Sequence, residues 1–171
     1  MNTYNVTSTE RRVFTLTRND SFVGRLVYDK WFSFQSTIEL PGYAPFTVDA
    51  KGFDWSNVTV NQNAEVVADF KLTWNGQFVI KTRLDTIADQ FLVKQKGVVN
   101  NKFVLLTNDG VELLVVEPTY TGTQSTVDYR LSASDAFDEV ANRDLLGLVV
   151  IHCANYYVAM MAMSTATLLM V

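Results

Sequence analysis

Cysteine and histidine each occur once in this chain, side by side at Cys153 and His152. A lone cysteine closes no intramolecular disulfide, and without a Cys-x-x-Cys pair the default compartment is a reducing one. One histidine and one cysteine fall short of the three or four ligands of a zinc site. No Gly-x-Gly-x-x-Gly, P-loop or Gly-x-Ser-x-Gly run is present, so the sequence points to no cofactor and no enzyme class. Basic excess is also missing: 14 Lys and Arg stand against 18 Asp and Glu, for a net charge of -4. Nucleic acid is therefore excluded as the main partner, and so is purely electrostatic adsorption to an anionic membrane. A local basic patch stays compatible with these totals. The polar start, Met1 to Phe14, has no apolar core of a secretory signal, which makes a cytoplasmic protein the expectation.

Charge is absent from one more place. From Leu145 to Val171 there is no Asp, Glu, Lys, Arg or Pro. Leu, Ala and Met dominate the stretch, and these are good helix formers. A helix that is apolar all round is buried, either in a bilayer or inside a protein core.

Ahead of it the chain reads as strand, turn, strand. Phe32 to Leu40, Val66 to Trp74 and Val127 to Ser132 alternate apolar and polar residues. This is the signature of a sheet with one buried and one wet face, usually antiparallel. Asn75-Gly76 and Asp109-Gly110 mark hairpins, Arg18-Asn19-Asp20-Ser21 and Asn61-Gln62-Asn63 mark polar turns, and Glu117-Pro118 predicts a strand end. A short echo, Leu-Thr-x-Asn-(Asp/Gly), recurs at Leu16, Leu72 and (with Asp109 at the asparagine position) Leu106, each time closing a strand. About twelve strands result, at the roughly 8–12-residue spacing of a sandwich or barrel.

Two readings of the tail remain open on the residues alone: a C-terminal membrane anchor or a helix through the middle of a closed sheet. The flank Arg143-Asp144 is a poor match to the basic flank of an anchor. His152, Asn155 and Tyr156 share one helix face, which is costly in lipid and satisfiable inside a protein. A twelve-stranded barrel also has a wide lumen to fill.

The layout resembles the Tubby C-terminal-like superfamily, which includes Tubby proteins, phospholipid scramblases and plant LURP-one-related proteins. The resemblance lies in Phe14 to Asp20 with Gly24, Lys30 to Phe34, Phe70 to Gly76, and Leu145 to Tyr157, and is nearest to small bacterial members. It implies a mainly β fold: a barrel of about 12 antiparallel strands closed around one hydrophobic C-terminal α-helix. The expectation is a single domain over 1–171, with strands at about 3–133 and the central helix at about 143–168. It also implies a non-enzymatic binding or scaffold module that takes phospholipid or phosphoinositide head groups at its outer surface, with a membrane surface or a protein as partner. The alternative is a tail-anchored, scramblase-like membrane protein. In scramblases an acidic calcium-binding segment precedes the last helix, and Asp135, Asp138, Glu139 and Asp144 occupy a similar place. Their spacing is not that of a calcium loop, and helix capping with Ser134 or Asp135 accounts for them.

The outward positions of the strands supply one candidate head-group patch: Lys71, Lys81, Arg83, Lys94 and Lys96. His152 and Asn155 are expected to be buried structural polar groups, with Asn155 or a barrel carbonyl as partner of His152. Trp31, Phe32, Phe34, Trp55 and Trp74 read as core aromatics, and Met160, Met161 and Met163 as core gap-fillers. If the helix fills the lumen, ligands are left with the outer surface or a rim.

Overall fold

The structure, a computed structural model, describes residues 2–30, 34–51, 57–83, 90–97, 101–120 and 127–168. Alternation becomes strands β1 (Asn2–Thr9), β2 (Val13–Arg18), β3 (Ser21–Tyr28), β4 (Ser36–Glu39), β5 (Phe46–Lys51) and β6 (Asn57–Gln62). These are followed by β7 (Glu65–Leu72), β8 (Phe78–Thr82), β9 (Gln90–Lys96), β10 (Lys102–Thr107), β11 (Glu112–Tyr120) and β12 (Val127–Ala133). Every strand pairs antiparallel with the next, and β1 closes onto β12 through pairs such as Tyr4 with Leu131. The sheet is a closed twelve-stranded barrel, and closure removes the exposed edges that invite aggregation.

Two helical pieces follow, α1 (Asp135–Asp138) and α2 (Arg143–Leu168). A single run starting at Ser134 does not form: Asn142 takes a left-handed φ of 55° and restarts the chain as α2. Ser134 makes no side-chain cap to α1; its hydroxyl donates to the Leu113 carbonyl at 3.1 Å instead. Phe137 of α1 plugs the barrel mouth, edge-on to Tyr4 at 6.3 Å.

From that mouth α2 runs up the lumen. Leu145 to Tyr156 are buried without a break, over more than three turns, so no face of the helix is wet. That is why the sequence shows no amphipathic stripe there. By length and composition α2 resembles a membrane span, but 72% of that window is buried inside the protein. The anchor reading gives way to the core helix. We refer to the end where α2 enters as the entry rim and the opposite end as the exit rim.

Inward strand residues meet the helix with aromatic rings. Phe34 lies 4.6 Å from Tyr156, Phe78 5.5 Å from Tyr156 and Phe103 5.3 Å from Tyr157. At the entry end Gly24 permits a close approach. A Cβ there would fall 2.6 Å from Leu40 Cδ2, 2.8 Å from the Glu39 carbonyl and 3.0 Å from Leu148 Cδ1 on α2.

The recurring Leu-Thr echo has a physical cause in two of its three copies. In each, the threonine N–H donates across the turn, Thr73 to the Gln77 carbonyl and Thr107 to that of Val111. The threonine hydroxyl in turn accepts from the Gln77 and Val111 N–H groups, at 3.2 and 3.0 Å. Gly76 and Gly110 supply the left-handed residue, with φ of 77° and 86°. The Leu16 copy is different: Asn19 and Asp20 are both left-handed, as in a two-residue hairpin turn.

Three expectations are corrected. β7 stops at Leu72, so Trp74 sits on the turn and is 98% exposed, not core. β11 does not end at Pro118 but runs to Tyr120. Beyond Val116 its pairing among the described residues is with β12, which places Pro118 where the β10 register has ended. The run expected from Phe32 to Leu40 shortens to β4, and Phe34 is left-handed at φ 51°. Trp31, Phe32 and Trp55 lie outside the described residues.

Candidate functional site

Helical spacing places His152 and Asn155 on one side of α2, facing β3, β4 and β12. Both are buried, at 1% and 4% exposure. Asn155 Oδ1 accepts from the Tyr129 hydroxyl at 2.7 Å, and its Nδ2 donates to the Tyr28 hydroxyl at 3.2 Å. Having accepted there, Tyr28 directs its own proton to His152 Nδ1, 3.0 Å away, with Ser36 Oγ at 3.4 Å from the same nitrogen. The imidazole proton then belongs on Nε2, which has no hydrogen-bond partner among the described residues. Phe70 packs edge-on to the ring at 5.5 Å, where an aromatic face is a weak acceptor.

Burial lowers the His152 pKa to about 3, so the ring is neutral at physiological pH. It likewise raises Tyr28, Tyr129 and the Cys153 thiol well above their ordinary values. A neutral imidazole and a protonated thiol, both enclosed, are structural groups: they fix the rotation and depth of α2 in the lumen. Direct pairing of His152 with Asn155 or a barrel carbonyl is not found, because Tyr28 stands between them. Tyr28 and Tyr129 were legible as inward positions of alternating strands, where a buried tyrosine needs a partner.

The five candidate cations all sit on the outer face of β7, β8 and β9 or the end of β8, exposed to solvent. The structure divides them. Arg83 pairs with Asp69 at 2.6 Å and Lys96 with Glu112 at 2.8 Å. Nearby, Lys102 takes Glu117. Lys71, Lys81 and Lys94 have no ion-pair partner among the described residues. In register, Lys71 lies opposite Val79 and Lys81 opposite Asp69 and Gln90, while Phe78 lies opposite Val93, one residue before Lys94. With strands about 4.8 Å apart and same-face neighbours about 7 Å apart, the backbone positions of the three lysines fall within roughly 8–15 Å of one another. Among the described residues these three positive charges are without an ion-pair partner, on a chain whose net charge is -4.

The acidic segment lies at the entry rim. Asp138 accepts from the Asn2 amide and lies 3.7 Å from Arg18 and 3.9 Å from Arg143. It ties strand β1, the β2 end and both helical pieces together. Among the described residues no three His, Cys, Asp or Glu side chains come together to hold a metal. A cleft of about 360 Å³ opens beside this segment, against Leu40, Tyr43 and Phe46. A second, of about 260 Å³, opens at the exit rim beside Tyr157.

Comparison with protein-family models, curated proteins and solved structures finds no match to this chain.

Proposed function

We propose that this protein is a non-enzymatic binding module, cytoplasmic and peripheral to membranes, that takes anionic phospholipid head groups on the outer face of β7, β8 and β9. One observation carries the reading: among the described residues Lys71, Lys81 and Lys94 have no ion-pair partner, while Asp69, Glu112 and Glu117 are taken by Arg83, Lys96 and Lys102. Lysine on a flexible stem binds phosphate as a point charge and does not need a rigid pocket. The filled lumen adds support, since it leaves ligands only the outer surface and the rims. The Tubby-like layout expected from the sequence agrees with a surface binder of phospholipid.

The tail-anchored alternative fares worse. Using α2 as a span would withdraw Leu145 to Tyr156 from the barrel and strand Tyr28 and Tyr129 without Asn155.

Vesicle flotation tests the proposal. Binding to phosphatidylcholine vesicles holding about 30% phosphatidylserine should exceed binding to phosphatidylcholine alone and fall with added salt. Each lysine near an anionic surface is worth about 1 kcal/mol, so the variant Lys71→Glu/Lys81→Glu/Lys94→Glu should lose roughly 100-fold or more. Equal binding to neutral vesicles, or no loss in the variant, contradicts the reading.

A further inference from the structure

The two rims of the barrel differ in charge. Around the entry rim stand Asp20, Glu65, Asp109, Asp135 and Glu139, all exposed, against Arg18, Arg83 and Arg143, which lie beside Asp138 and Asp69. Among the described residues the exit rim carries Arg11, Arg12, Lys30, Lys51 and Lys71, with Lys96 paired to Glu112, against Glu10 and Asp29. Strand direction produces this separation: the acids lie on turns and strand ends at the foot of the helix, the cations on those at its head.

Apolar surface follows the cations. Ala159 is the last buried residue of α2, at 3% exposure. The helical backbone continues to Leu168, about 13 Å further along its axis at 1.5 Å per residue. Met160 and Met161, expected as core, are instead 43% and 59% exposed. Met163 has no described side chain. Trp74, on the β7–β8 turn, and Tyr120, at the end of β11, are exposed at the same rim. Past Val116 the pairing of β10 with β11 stops, and there the 260 Å³ cleft opens between Phe103, Tyr120, Tyr157 and Met161. Tyr157 lines this cleft, and its hydroxyl is buried beside Gly76 with no hydrogen-bond partner among the described residues.

A soluble surface has little reason to gather an exposed helix end, a fully exposed tryptophan and several lysines at one pole. Tryptophan and tyrosine favour the bilayer interface, and Lys and Arg favour anionic lipid. We propose that the exit rim is the membrane-facing pole of the barrel. Trp74, Tyr120 and the α2 end at Met160 and Met161 enter the head-group layer of an anionic phospholipid bilayer, and the surrounding cations meet its phosphates. The acidic entry rim faces away, so the charge separation itself orients the barrel. This inference rests on the lipid-binding reading above. It adds the orientation, and it makes the partner an assembled bilayer instead of a free head group.

The experiment uses the full chain with phosphatidylcholine:phosphatidylserine vesicles at 7:3, part of the phosphatidylcholine brominated in its acyl chains. Bromine should quench tryptophan fluorescence on binding, and Trp74→Phe should remove most of that quenching; the other two tryptophans cancel in the difference. Met161→Glu, at an exposed site where unfolding temperature should not change, should weaken vesicle binding at least tenfold. It should leave binding of soluble inositol hexakisphosphate unaltered. If Met161→Glu binds vesicles like the parent and Trp74 is not quenched, while the triple lysine reversal abolishes binding, the barrel lies on its side. The pole is then overturned and the head-group stripe stands. If the lysine reversal is harmless and Met161→Glu is not, the stripe falls and the pole stands. No vesicle binding by the parent overturns both.

Discussion

Replacing Asn155 by leucine removes two buried hydrogen bonds at once. The Tyr129 hydroxyl loses its acceptor at 2.7 Å and the Tyr28 hydroxyl loses its donor at 3.2 Å. Both tyrosines are nearly inaccessible, at 2% and 3% exposure, so water does not replace what is lost. An orphaned buried polar group costs about 1–3 kcal/mol. Leucine is also bulkier than asparagine, and overpacking a full core adds about 1–3 kcal/mol. The expected destabilisation is therefore roughly 3–5 kcal/mol, a large part of the ~5–15 kcal/mol that holds a domain together. Adding Tyr129→Phe to Asn155→Leu removes one orphan and should recover about 1–2 kcal/mol, although Tyr129→Phe alone destabilises. Urea unfolding of the four proteins gives the coupling; at an m of about 2 kcal/mol/M the single leucine variant should shift the midpoint by roughly 1.5–2.5 M. A shift equivalent to less than about 1 kcal/mol, or no recovery in the double variant, would refute the network as drawn.

Two further outcomes follow from the same core. His152 is held near pKa 3 by burial, below its ordinary value of about 6.5, so protonation favours the unfolded chain. Its stabilising contribution is full above about pH 6.5 and is lost as pH falls from there towards about 3. Between pH 6 and 5 the parent should lose roughly 1 kcal/mol that His152→Gln does not lose, and parallel urea midpoints in the two proteins would contradict this. Gly24→Ala puts a methyl group 2.8 Å from the Glu39 carbonyl and 2.6 Å from Leu40 Cδ2. At about 1–3 kcal/mol for overpacking, thermal scans should show a melting temperature lower by roughly 2–12 °C, and an unchanged one would mean the wall gives freely.

Much of the barrel was legible because each wall position obeys one rule, apolar inward and polar outward. Lys71, Lys81 and Lys94 were readable as outward for the same reason. Their freedom was not, since it depends on Asp69 choosing Arg83 over Lys81, its neighbour in register. Trp74 was misread because it continues the parity of Phe70 and Leu72; only the hydrogen bonds around Thr73 and Gln77 show that the strand has already ended. Pro118 misled in the opposite sense, as a strand accepts proline where one neighbour is absent. The apolar tail told of burial but not of place. Nor did it tell where burial ends, because Met160 and Met161 look like Ala159 in composition and differ only in lying past the rim. Tyr28 was readable as inward, whereas its position between His152 and Asn155 depends on the rotation of α2 in the lumen.

The account stands or falls on α2 as the core of the barrel. Leu145, Leu146, Leu148, Val149, Val150 and Ile151 are each at most 3% exposed. At about 1.5–3 kcal/mol per buried aliphatic side chain, they contribute on the order of 10 kcal/mol, about the whole net stability of a domain. The direct measurement is to express residues 1–144 beside the full chain without detergent and compare solubility and thermal unfolding. We expect a soluble, cooperatively unfolding full chain and a truncation that aggregates or shows no transition. A well-folded truncation beside an insoluble full chain would contradict the core helix and return α2 to the membrane.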